Sequence, residues 1–144
     1  WHTRLNAEEA EMTHRTASCS CGQLQVQCAS EPVRVAICHC LECQKRTGSV
    51  YAVQARFHRE HLTLSGETRQ WSRRGDSGQS TRFHSCPVCA STVFWELAGA
   101  PDFIAVAAGM FADPGFPPPV LSVYEERKHS WVFNAGALPM EHMD

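Results

Sequence analysis

Apolar and polar residues alternate through much of this chain. In QLQVQC (23–28), Leu24, Val26 and Cys28 fall on one face and three glutamines on the other. A period of two is the mark of a half-buried strand. VRVAIC (33–38), YAVQARF (51–57), LTLSG (62–66) and TRQWSR (68–73) read as further strands. TRFHS (81–85) and STVFWEL (91–97) flank CPVC as the two arms of a hairpin would. FIAVAAGMF (103–111) reads as a buried strand, with a short helix as the alternative, and VLSVYEE (120–126) as a last strand. RRGDSGQS (73–80) carries turn chemistry, and the prolines of DPGFPPP (113–119) allow only a loop. One short helix is predicted, from Leu41 to about Thr47, where Gly48 can cap it. Internal repeats, coiled-coil heptads and linkers are lacking. The pattern predicts one mainly β domain with little helix.

Composition changes this picture only slightly. With 144 residues, 43% hydrophobic and 19% charged, the chain can bury a core as one globular domain. A formal charge of −2 gives no global basic field, so no nucleic-acid partner is expected. The longest apolar run, FIAVAAGMFA (103–112), falls short of the roughly 18 residues a membrane helix needs, so no membrane partner is expected. WHTRLNAEEAEMTHRT (1–16) has no apolar signal core. Met12 offers a natural start. The expected organisation is an N-terminal extension over 1–15, one domain over 16–135, and a tail over 136–144. A cytoplasmic location follows as an expectation. Eight cysteines in a reducing compartment favour metal binding or catalysis over disulfides.

The cysteines fall into three motifs: CSCG (19–22), CHCLEC (38–43) and CPVC (86–89). Cys19, Cys21, Cys86 and Cys89 form two chelating half-sites, with Gly22 and Pro87 suited to tight turns. Four thiolates satisfy a tetrahedral zinc ion and leave no vacancy, so this site is expected to be structural. Four ordinary buried cysteines, two disulfides, or a redox pair within Cys86-x-x-Cys89 are the alternatives. Cys38, Cys40 and Cys43 supply three thiolates from one segment, at the start of the predicted helix. Three protein ligands leave a fourth position open, the arrangement of a catalytic zinc. Three thiolates make the ion a poor activator of water but a good host for another thiol. The bland alternatives are a spare cysteine, or closure of the site by His39 or His84. A three-ligand site also releases metal more readily than a four-ligand one. Cys28, on the apolar face beside Val26 and Leu24, is expected to pack as a small hydrophobe. His84 is expected to be an ordinary strand histidine.

The order Cys-x-Cys-Gly, Cys-x-Cys-x-x-Cys, Cys-x-x-Cys resembles the glutathione-dependent formaldehyde-activating enzyme family. CHCLECQKRTGSVYAV (38–53), STVFWEL (91–97) and ERKHSWV (126–132) are also similar to the family, over about 16–132. The resemblance implies an Mss4-like β-tent of antiparallel sheets, clipped by zinc. It implies Cys19, Cys21, Cys86 and Cys89 as structural zinc ligands, and Cys38, Cys40 and Cys43 as ligands of a second, catalytic zinc. It also implies a carbon–sulfur lyase joining formaldehyde to glutathione as S-hydroxymethylglutathione. The family commonly has Gly after the last cysteine where this chain has Ala90. If that position needs positive φ, Ala strains it slightly.

The chemistry suits a zinc-bound thiolate that attacks a small carbonyl, with a nearby acid protonating the new hydroxyl. Glutathione carries two carboxylates, and Lys45, Arg46, Arg73, Arg74, Arg127 and Lys128 are candidate contacts. Each is otherwise a solvated surface charge. Glu42 and His39 are acid/base candidates or exposed spacers, and Trp71, Trp95 and Trp131 are pocket walls or core. The rival readings are a non-catalytic zinc-stabilised binding module and a metal-handling or redox-sensing protein. Exposed strand edges leave room for a homodimer.

Overall fold

The computed structural model describes residues 14–75, 77–133 and 139–143. The expected N-terminal extension therefore lies outside the described residues except for His14 and Arg15, as do 136–138 and 144 of the expected tail. Ten strands and one α-helix appear among the described residues. They are β1 (Arg15–Ser18), β2 (Gln25–Cys28), β3 (Arg34–Cys38), α1 (Leu41–Thr47), β4 (Ala52–His58), β5 (Leu62–Ser65), β6 (Arg69–Arg74), β7 (Ser80–Ser85), β8 (Thr92–Leu97), β9 (Phe103–Ala107) and β10 (Leu121–Val123). The protein is mainly β, as the alternation predicts. FIAVAAGMF satisfies both of its readings in turn: β9, then a 3-10 turn over Ala108–Phe111.

Two sheets form. A three-stranded sheet has the order β1-β2-β5, and a seven-stranded sheet the order β10-β3-β4-β9-β8-β7-β6. Nearly all pairings are antiparallel. The exception is β10, which runs parallel to β3. It arrives through the proline-rich connection after β9, and a long crossover is what a parallel partner requires.

Apolar side chains from both sheets meet in one core. Leu24, Val26, Cys28, Leu62 and Leu64 from the small-sheet side pack with Val35, Ala55, Phe57, Phe94, Ile104 and Val106 from the large sheet. Cys28 is fully buried there, as its strand position predicts, and burial pushes its thiol up to about 12. The other face of the large sheet carries Cys38, Ala52, Ala105, Trp95, Phe83 and Trp71, by alternation from the paired positions Cys38↔Ala52, Trp95↔Ala105, Phe83↔Trp95 and Trp71↔Phe83. Among the described residues that face has no second sheet on it, and α1 lies against part of it, with Arg46 over the Trp95 ring.

Candidate metal centres

The first cluster joins two turns that belong to different sheets. Cys19 and Cys21 lie between β1 and β2, where Gly22 donates its N–H to the Cys19 carbonyl (3.1 Å) at φ 83°. Cys86 and Cys89 lie between β7 and β8, where the Ala90 N–H donates to the Cys86 carbonyl (2.8 Å). Ala90 does adopt positive φ, 66°, the strained setting expected from its departure from Gly. All four sulfurs lie within 4.8 Å of one another, and Cys19–Cys21 and Cys21–Cys86 are each 3.7 Å apart. A tetrahedron with Zn–S bonds near 2.3 Å has edges of about 3.8 Å. The donor set fits that ion.

The local backbone supports anionic sulfur. Cys19 Sγ accepts from the Leu24 N–H at 3.2 Å, and Cys86 Sγ accepts from the Val88 N–H and from Gln23 Nε2 at 3.3 and 3.2 Å. Gln23 also donates to the Glu67 carbonyl at 3.0 Å, which ties the cluster to the start of β6. Here glycine is mandatory at position 66. Gly66 has φ 102°, and a Cβ there would sit 2.0 Å from the Gln23 carbonyl oxygen. Hydrogen bonds from the Ser91 hydroxyl and backbone pull the Cys89 thiol down to about 5.

The second cluster comes from one continuous segment. Cys38 ends β3, Cys40 caps α1, and Cys43 sits in its first turn. The Cys40 sulfur accepts from the Cys43 N–H at 3.3 Å. The helix ends at Gly48 with φ 72° and an N–H bonded to the Gln44 carbonyl at 2.8 Å, in agreement with the sequence. The three sulfurs lie within 4.8 Å of one another. The Cys38 thiol donates to Cys43, which pulls Cys43 down to about 5 and pushes Cys38 up. Arg46 adds its positive charge to the Cys43 side. Among the described residues neither cluster gains a histidine or carboxylate. Three thiols leave one position of a tetrahedral ion without a protein donor among the described residues.

The remaining candidates separate. His39 is a correction to the expectation of an exposed spacer: it is fully buried, its Nε2 3.1 Å from the Ser122 hydroxyl. Beyond the end of β3 its ring is enclosed by Tyr51 and Phe133, each 6.1 Å away between ring centroids. His84 lies on the core-side face, stacked on Phe94 at 4.3 Å and bonded to Glu96 at 2.8 Å. With Arg59 and Arg82 it lines a cavity of about 180 Å³ that none of the cysteines borders. Burial pushes Glu96 up, but hydrogen bonds from Arg59, His84 and Arg82 overcome it and hold the carboxyl near 2. Trp95 is core at 3% exposure, whereas Trp71 and Trp131 are exposed. Lys45 faces Glu42 at 3.4 Å, Arg74 is exposed at the end of β6, and Arg127 and Lys128 lie at a 3-10 turn. Arg46 and Arg73, distant in sequence, meet over the ring of Phe83.

A mainly β protein with one set of four clustered thiols and one set of three defines a class of small proteins whose cysteine clusters could hold metal ions. The sequence model described as glutathione-dependent formaldehyde-activating enzyme matches residues 14–127, and the chain belongs to that family. Among solved structures it is similar to a Rhodobacter sphaeroides protein solved by a structural genomics effort. That likeness has a TM-score of 0.55 and 17% identity, covering 74% of this chain and 98% of that one, and it speaks for the fold alone. No curated protein matches. No helix among the described residues is long and apolar enough to cross a membrane.

Proposed function

We propose that the protein is a carbon–sulfur lyase that forms or cleaves S-hydroxymethyl adducts of glutathione or a related small thiol. The observation that carries this reading is the three-thiol group of Cys38, Cys40 and Cys43, with no fourth protein donor among the described residues. Family membership supports it. In this reading Cys19, Cys21, Cys86 and Cys89 hold a structural zinc, and Cys38, Cys40 and Cys43 hold the catalytic one. A zinc ion at the open site supplies Lewis-acid chemistry that favours thiolate over thiol at neutral pH.

The chain's own residues then have defined tasks. Cys38 and Cys43, at 7% and 8% exposure, keep the site's inner side dry, and Ala52 and Val123 pack beside them. Cys40, half-buried, marks the side from which a substrate enters. The positive charge of Arg46 offsets part of the negative charge of the thiolates. In the addition, substrate sulfur forms a bond to the carbonyl carbon. The carbonyl π pair moves to oxygen, which takes up one proton in place of the one the thiol released. Cleavage is the same sequence reversed.

The test is zinc per chain and adduct formation from formaldehyde and glutathione, followed by NMR, for the protein and for Cys40→Ser. The expected result is a fall from about two zincs to about one, with turnover lost and the fold retained. Turnover that survives in Cys40→Ser overturns the reading.

A further inference from the structure

Arg46 lies three residues after Cys43, so both point from one side of α1. The Arg46 guanidinium stacks 4.3 Å from the Trp95 ring centroid and 5.1 Å from that of Phe83. Arg73, from β6, stacks on the same Phe83 ring at 5.4 Å. Trp71 flanks it, stacked on Phe83 at 5.8 Å and 58% exposed. Two like charges are therefore gathered on one aromatic platform beside the three-cysteine cluster.

Neither charge has a carboxylate partner among the described residues; Arg46 reaches the Cys43 sulfur but leaves its Nε–H without an acceptor. Arg15, Arg59 and Arg82 each reach a carboxylate at 3.1 Å or less, but Arg46 and Arg73 form no salt bridge among the described residues. Their Nε atoms are both buried and without a hydrogen-bond acceptor. Contact with the aromatic rings engages the guanidinium faces but leaves both Nε–H groups without an acceptor. A buried donor without an acceptor costs on the order of 1–3 kcal/mol, and a second cation nearby adds to the cost. An arginine fork fits the two oxygens of a carboxylate, and such charge-assisted bonds are the strong ones.

We propose that Arg46 and Arg73 form a carboxylate clamp that selects thiol substrates bearing an acidic group. The clamp rests on the lyase reading of the three-cysteine site and deepens it. A substrate whose sulfur lies at the cysteines brings its acidic end against the two guanidinium edges, one helical turn away. Thiols that lack a carboxylate are poor substrates because they leave those edges unpaired.

The probe is S-methylglutathione, which keeps both carboxylates but cannot present a thiolate, compared with its diethyl ester. Binding to the zinc-supplemented protein is measured by calorimetry for wild type, Arg46→Gln, Arg46→Lys and Arg73→Gln, with folding checked by circular dichroism. The expected result is a preference for the free acid over the ester in wild type. Arg46→Gln and Arg73→Gln each lose on the order of tenfold or more of the affinity for the acid, with little change for the ester. Arg46→Lys restores only part, because it lacks the planar fork. A merely structural role lowers both affinities alike. Equal acid-to-ester preference in wild type and Arg73→Gln overturns the clamp, and so does failure of S-methylglutathione to bind wild type. Formaldehyde–glutathione turnover, measured in parallel, separates the two readings: wild-type turnover with an Arg73→Gln that keeps the wild-type acid preference sinks the clamp alone, while selective binding without turnover in wild type sinks the lyase alone.

Discussion

Ala90 turns the chain with φ 66° so that its N–H can reach the Cys86 carbonyl and close the turn between Cys86 and Cys89. A left-handed conformation costs an L-residue roughly 1–2 kcal/mol, and glycine escapes that cost while losing about 0.5–1 kcal/mol of chain entropy. Ala90→Gly is therefore expected to stabilise the zinc-loaded protein by about 0.5 kcal/mol, measured by urea unfolding. A loss of stability would mean that the turn is held by something other than this backbone setting. The resemblance to the family pointed to this strain, because the family commonly has Gly where this chain has Ala90. Cys28 was legible from its own segment: its place in an alternating strand determines its burial. His39 was not. Its neighbours are cysteines rather than an alternating run, so nothing local showed that the ring turns inward to Ser122.

At the scale of elements, local signals carried most of the architecture. Helix α1 was readable from Gly48 at its end and the missing β-branched run, and the hairpin β7–β8 from its flanks of Thr, Phe and Trp. Strand β1 was not, since RTAS has neither alternation nor large apolar residues; it is held by pairing with β2 and by Arg15 to Glu31 at 2.7 Å. The parallel seat of β10, and the meeting of Arg46 with Arg73, depend on long-range register that no short window contains. The same holds for Glu96, which ties β7 and β8 to the turn after β4. It accepts Arg82 and His84 at 2.8 Å and Arg59 at 2.7 Å, at 14% side-chain exposure. Its folded carboxyl lies near 2 against an ordinary 4.5. A depressed carboxylate stabilises fully above its unfolded value, and that stability drains away as pH falls from about 4.5 toward 2. Glu96→Gln is expected to lose about 2–3 kcal/mol at pH 7 and to flatten this part of the acid dependence. Unfolding free energies at pH 7, 4 and 3 check it, and parallel curves for both proteins would refute it.

At the scale of the whole molecule the two cysteine groups differ in what they hold together. Cys19 and Cys21 belong to the turn between two strands of the small sheet, and Cys86 and Cys89 to a hairpin of the large one. An ion there closes a long stretch of chain and pins one sheet to the other, so its binding energy is also folding energy. Cys38, Cys40 and Cys43 lie within one short segment that β3 and α1 already organise, and Gly48 and Cys40 cap the helix without any ion. An ion there closes almost no loop and adds little to the fold. The two proposed sites should therefore separate in a single experiment. Cys86→Ser and Cys40→Ser are each expected to lose about one zinc per chain. Cys86→Ser should lower Tm by on the order of 10 °C or more, because an anchor between sheets is gone and a buried turn is left open. Cys40→Ser should shift Tm by only about 4 °C or less, since only one cap interaction changes. Metal analysis beside thermal unfolding reads both quantities on the same samples. Equal destabilisation by the two variants would show that the three-cysteine group carries the fold as well, and the division into a structural and a working site would have to be given up.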